Sequence, residues 1–205
     1  GATPTPTATA TATPTATSSG GETIKINFQP ETATVPDGYI KDYGLAYSEQ
    51  NGETYGWDAT RTNLGRDRNN HTDQRYDTMY HMHTEGNAYT WEIAVSNGSY
   101  TVDVLCGDAS YTDSTNTIDI EGVTKTDPDG EDNFDLYEDV EVTVSDGKLT
   151  IQMNTAGDNA KICYVDIVPA GPAATPTPTA TATPTTSPTP TTSPTPTATP
   201  TSSGG

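Results

Sequence analysis

The sequence predicts an all-β fold, an antiparallel β-sandwich (jelly roll) with disordered linkers at both ends. Three observations carry that expectation. Many short runs alternate apolar and polar residues, turn dipeptides separate them, and the two termini are built almost wholly from Thr, Pro, Ala, Ser and Gly. No stretch shows the apolar spacing of an amphipathic helix.

Composition divides the 205-residue chain into three parts. Residues 1–21 and 170–205 contain no aromatic ring and no charged side chain, so all 28 acids and 9 bases lie within 22–169. Thr-Pro-Thr-Ala tracts cannot bury enough apolar surface to offset chain entropy, and they favour extended, polyproline-like conformations. They read as stiff spacers around one folded unit at 22–169. Such tracts suggest an O-glycosylated extracellular stalk, and there is no secretion signal or membrane-spanning run. The chain is therefore expected to be a piece of a longer secreted protein, covalently linked to neighbouring domains. A formal charge of -19 argues against nucleic acid and anionic membranes as partners, because both need a basic stripe. A monomer is expected.

In chain order, Thr23–Phe28 alternates Ile24, Ile26 and Phe28 against Lys25 and Asn27 as a half-buried strand does. Residues 30–38 form a turn-rich connection, and Gly38 and Gly44 argue against a helix over 39–47. Residues 52–70 read as a long ordered loop with short strand pieces such as Thr54–Trp57, and residues 76–83 look extended. Trp91, Ile93 and Val95 form a strand, Asn97-Gly98 signals a hairpin, and Tyr100, Val102, Val104 and Cys106 return from it. A loop at 107–113 follows, then a strand at 117–120, a turn at Glu121-Gly122 and an acidic, exposed stretch at 127–139. Val140, Val142 and Val144 form a strand, Asp146-Gly147 a second hairpin signal, and Leu149, Ile151 and Met153 the next strand. Lys161–Val168 closes the domain, with Cys163, Val165 and Ile167 on one face. If the first and last strands pair, both linkers leave from one side, away from a loop-built site. For Cys106 and Cys163 two readings stand: buried free thiols, and a bridge between neighbouring strands.

The order INF (26–28), YGWD (55–58), RDRN (66–69), DQRYDT (73–78), WEIAVSNGSYTVDVLCGDASYTD (91–113), IDIEGV (118–123) and KICYVDI (161–167) resembles malectin-like, galactose-binding-like jelly-roll modules. Such modules accompany the polysaccharide-degrading proteins of clostridial, cellulosome-type bacteria. The resemblance implies a non-catalytic carbohydrate-binding role toward plant cell-wall polysaccharide, pectic and other acidic glycans included. Modules of this type often carry structural calcium near their terminal strands, where Glu22 is the one acid before Ile24.

Sugar recognition needs flat rings to stack on pyranose C–H faces and planar polar groups to bond paired hydroxyls. All four arginines (Arg61, Arg66, Arg68, Arg75) lie between residues 52 and 78, interleaved with Asp58, Asp67, Asp73 and Asp77. Arg66 and Arg68 are assigned outward, toward a ligand, and Arg61 and Arg75 to bracing the loop through Asp forks. Tyr55 and Trp57 lie two apart and share one strand face, which is either a ligand platform or core. Tyr111, in a polar loop with Asp108 and Asp113, is the ring expected to be exposed. The expected ligand site is Tyr55, Trp57, Arg66, Arg68, Asn69, Asp108, Tyr111 and Asp113. His81 and His83 would share a face of one strand, a geometry that can hold a metal. No nucleophile elbow, phosphate loop or zinc-protease helix is present, so no catalysis is expected. The alternative is a structural spacer or protein-interaction module.

Overall fold

The computed structural model describes residues 21–84, 86–128 and 132–171. The expected linkers lie outside these apart from Gly21, Ala170 and Gly171. The alternating runs become β1 (Ile24–Phe28), β2 (Ile40–Asp42), β3 (Ser48–Gln50), β4 (Glu53–Trp57) and β5 (Gly65–Asp67). One helical turn, α1 (Gln74–Asp77), precedes β6 (Thr78–His81), β7 (His83–Thr84), β8 (Asn87–Ala88) and β9 (Thr90–Ala94). The long strands follow: β10 (Gly98–Gly107), β11 (Ile118–Ile120), β12 (Val123–Lys125), β13 (Phe134–Val144), β14 (Lys148–Met153) and β15 (Lys161–Pro169).

Two sheets enclose one core, as the alternation requires. A seven-stranded sheet runs β13-β10-β15-β1-β2, with β6 also on β15 and β5 on β6; a six-stranded sheet runs β12-β11-β14-β9-β4-β3. Pairing is antiparallel except between β1 and β2. Phe28, Val104 and Val165 face Tyr55, Trp91 and Ile151 across the core. At its centre Phe28 packs edge-on against Trp57 (5.9 Å) and Trp91 (5.3 Å), and Trp57 stacks on Tyr80 (4.8 Å). Asp42 lies among these rings, fully buried, and accepts from Gly44 N (2.7 Å), Trp57 Nε1 (3.1 Å) and Trp91 Nε1 (2.8 Å). Burial pushes its carboxyl up to about 6 despite those three donors.

The structure corrects several local expectations. Asn97-Gly98 and Asp146-Gly147 do turn the chain, but each joins strands of opposite sheets, β9 to β10 and β13 to β14. A type I′ hairpin needs positive φ at both central residues. Here the glycines have it (Gly98 155°, Gly147 88°) and the residues before them do not. The two arches are tied together by Asn97 Nδ2 donating to Ser145 O (2.8 Å). Hairpins with two positive φ values stand instead at Asn51-Gly52 (53° and 89°) and Glu121-Gly122 (47° and 78°). Tyr76 sits in α1, whose N-cap Asp73 accepts from Arg75 N (3.0 Å), rather than in an extended run. The acidic stretch at 127–139 is not uniformly exposed: Asp135 is buried and accepts from Asn116 Nδ2 (2.9 Å).

Both cysteines are buried and free. Cys163 does not share a face with Val165 and Ile167, because the register shifts where Leu105 faces Tyr164 and Cys106 faces Ile162. Cys163 is the extra residue of that bulge and packs with Met79, Leu105 and Tyr164 in a second cluster. β1 and β15 pair antiparallel, Ile24 opposite Ile167. The described chain thus begins and ends at one end of the sandwich, and Lys161 opens β15 at the other, roughly 27 Å away at about 3.4 Å per residue.

Candidate functional site

β5 pairs with β6, β6 with β15 and β15 with β10, so the ends of these strands bring distant loops together far from the termini. Arg68 follows β5, His81 ends β6, and Asp108, Tyr111 and Asp113 lie on the loop that leaves β10. Asn159 and Lys161 lead into β15. Together they line a cleft of about 180 Å³. The loop leaves β10 through Gly107 (φ 132°), where any side chain would run into the backbone of Asn133 and Phe134. Asn133 Nδ2 then clamps the loop by donating to Asp108 O (2.9 Å) and Tyr111 O (3.3 Å). Asn70 Nδ2 joins the arginine stretch to the same loop through Ala109 O (2.8 Å).

Charge in the cleft is paired. Arg68 forks onto the buried carboxylate of Asp108, Nε to Oδ1 at 2.7 Å and Nη2 to Oδ2. Asp108 Oδ1 also accepts from Ser110 N (3.0 Å). Lys161, only 2% exposed, donates through Nζ to Asp113 Oδ1 (2.8 Å) and Ser114 Oγ (2.7 Å), and lies 4.0 Å from Asp108. The Lys161 bond holds the Asp113 carboxyl below the usual carboxylate range. Burial, with the cations Lys161, Arg66 and Arg68 nearby, pushes His81 down to about 4, so its imidazole is neutral near pH 7. Tyr111 stands over this floor with 53% of its surface exposed, and the Arg68 guanidinium lies 4.7 Å from its ring centroid.

Four of the eight expected site residues therefore meet in one cleft: Arg68, Asp108, Tyr111 and Asp113. The other four do not. Tyr55 (0% exposed) and Trp57 (1%) do share a face, as their spacing predicts, but it is the inner face of β4, between β9 and β3. Neither ring can stack on a ligand, and Tyr55 Oη donates to Lys41 O (2.7 Å). Arg66 Nη1 is turned onto its own loop, donating to Asn63 O and Gly65 O at 2.8 Å each. Asn69 takes a left-handed conformation (φ 52°) and its N–H donates to Asp67 Oδ1 (3.2 Å), so it shapes a turn. The bracing pair are where the charges suggested: Arg61 on Asp58 and over the Tyr89 ring (3.8 Å), and Arg75 forked onto Asp73.

The two histidines of the H-x-H are separated, His81 ending β6 of the large sheet and His83 opening β7 of a two-stranded one. Met82 between them is buried in the core. Among the described residues no three His, Cys, Asp or Glu side chains are grouped to hold a metal ion. Sequence reasoning did not place Lys161, Asn159 or His81 in the site. Lys161 had a signal, being the one charge at the head of the apolar run KICYV. Asn159 had none beyond its turn-forming type, realised at φ 50°.

The fold is similar to that of protein YxiM from Bacillus subtilis, with 19% identity and a TM-score of 0.52 over 73% of this chain. The chain spans 40% of that protein's length. The likeness concerns the fold alone. No protein-family model and no curated protein matches the chain. No helix among the described residues is long and apolar enough to cross a membrane.

Proposed function

We propose that this chain is a non-catalytic carbohydrate-binding module of a secreted protein, holding its neighbouring domains near plant cell-wall polysaccharide. The observation that carries the reading is Tyr111. It is a half-exposed ring beside a cleft whose floor offers fixed acceptors and donors, the combination that binds a sugar ring by stacking and paired hydrogen bonds. The position of the cleft agrees, since a module tethered at one end presents its opposite end outward. The engaged carboxylates favour binding over chemistry. Asp108 is forked to Arg68, and Asp113, held ionised by Lys161, is poorly suited to donate a proton.

Affinity electrophoresis of the whole chain through gels containing soluble cell-wall polysaccharides tests the reading, with retardation expected by at least one of them. Migration unchanged by every polysaccharide would refute it. Recognition through Tyr111, Arg68 and Asp113 needs no metal, so added chelator is expected to leave retardation unchanged. A second reading, a structural spacer or protein-interaction module, is favoured by the internal engagement of Arg61, Arg66 and Arg75. It expects no retardation at all, while Arg66→Ala still lowers Tm.

A further inference from the structure

The carbohydrate-binding reading leaves open whether the sugar is acidic, and an arginine-rich stretch in a chain of charge -19 invites a uronate. The charges of the cleft speak against it. Its two cations already have anionic partners inside the protein: Arg68 is forked onto Asp108, whose side chain has no exposed surface, and Lys161 is bonded to Asp113. His81 adds no positive charge near neutral pH. The formal charges of Arg68, Lys161, Asp108 and Asp113 cancel, and the outermost of them is negative, since the Asp113 side chain is 62% exposed.

We infer that the cleft selects a neutral sugar residue, one unit at a chain end or side branch, and disfavours a uronate. This deepens the carbohydrate-binding reading and rests on it. A uronate carboxylate entering beside Tyr111 would meet the Asp113 carboxylate while both neighbouring cations are already charge-paired inside the protein, and like charges at close range in a partly desolvated site repel. A hydroxyl pair meets the opposite situation. The exposed Asp113 carboxylate can accept from one hydroxyl, Arg68 Nη1 lies outside the Asp108 fork and can donate to another, and the neutral His81 ring and the Asn159 amide offer further positions. The size of the cleft sets the length recognised. About 180 Å³ is below the roughly 300–1,000 Å³ of a site for a drug-sized ligand, which suits a single pyranose rather than a run of them.

The test uses the whole chain against each uronate-containing polysaccharide and the same polysaccharide after its carboxyl groups have been reduced to primary alcohols. Binding is read by affinity electrophoresis from about 50 mM to about 500 mM NaCl. The reduced, neutral form is expected to bind at least about tenfold more tightly, equivalent to about 1.4 kcal/mol, and to respond to salt by less than about twofold. Asp113→Asn removes the outer carboxylate from an exposed position and is expected to raise retention of the acidic form several-fold. Tighter binding of the acidic form that weakens with salt would overturn the inference while leaving the carbohydrate-binding reading intact, and so would an acid-to-neutral ratio unmoved by Asp113→Asn. Retention of neither form of any polysaccharide would overturn both.

Discussion

Asp42 and Asp108 are two aspartates with fully buried carboxylates, held in opposite ways. Asp42 sits between the sheets and is satisfied by neutral donors, the indoles of Trp57 and Trp91 and the backbone of Gly44. Asp108 sits at the sandwich end and is satisfied by the Arg68 guanidinium, with the Lys161 ammonium 4.0 Å away. The surroundings differ accordingly. Around Asp42 every ring is consumed by packing, and Trp57 and Trp91 turn their only polar atom inward to the carboxylate. Around Asp108 the charges neutralise one another, and Tyr111, whose ring lies against the Arg68 guanidinium, keeps half its surface free. Aromatic residues near a buried acid thus belong to the core in one region and to an exposed cleft in the other. What separates them is whether the acid is bonded by the rings or by a cation beneath them.

The comparison can be broken most strongly at the two acids. Asp108→Ala strips the partner from Arg68 and the nearby anion from Lys161. It is expected to cost about 3–5 kcal/mol in urea denaturation and to abolish glycan retention. Asp42→Asn keeps one acceptor and removes a costly buried charge, while turning an amide N–H toward an indole N–H. A smaller loss of about 1–3 kcal/mol is expected, with the cleft still able to bind. An equal loss from both would remove the distinction between them.

A somewhat smaller effect separates the regions by pH. The Asp42 carboxyl titrates at about 6 when folded against 3.8 ordinarily. Its contribution therefore favours folding at acid pH and is lost as pH rises through about 6; ionised at neutral pH it costs about 3 kcal/mol. His81 has the opposite sign. Its folded value of about 4 lies below the ordinary 6.5, so its contribution is present above pH 6.5 and lost as pH falls toward 4. Between those limits the two oppose each other. Asp42→Asn is expected to leave a protein that loses stability on acidification from pH 6.5 to 4, and His81→Gln one that gains it. Denaturation midpoints across this range read the difference. Asp73 and Asp113, held below 3.8 by Arg75 and Lys161, lose their contributions only at lower pH. The smallest change is expected at the rim, where Arg61→Ala removes a partly exposed ion pair with Asp58 and a ring contact with Tyr89 for about 1 kcal/mol.

The same two regions show what could be read before the structure. Period-two alternation located β1, β9, β10, β14, β15 and the Val140–Val144 half of β13, because each sends a row of apolar residues into the core. Alternation says nothing about which sheet the next strand joins. For that reason Asn97-Gly98 and Asp146-Gly147 looked like hairpins and proved to be arches between sheets. It is also blind to which side of a strand is the inside. Tyr55 and Trp57 were correctly placed on one face, and only β4's position between β9 and β3 turns that face inward. Tyr111 was legible because its neighbours are all polar, leaving the ring nothing local to pack on. Lys161 was hidden by a bulge: the extra residue Cys163 shifts the register, and a lysine heading an apolar strand comes to lie across from Asp113, 48 residues earlier in the chain. Pairings at that separation are set by topology, which local pattern does not encode.

The account turns on Tyr111 being free for a ligand while Trp57 is not. Substituting Tyr111 by alanine and measuring Tm alongside retention on the polysaccharide that best retards the parent chain tests this directly. The account expects stability within about 0.5 kcal/mol of the parent and retention weakened at least about tenfold, the loss of one stacked ring. Retention unchanged by Tyr111→Ala, with the protein folded, would contradict it.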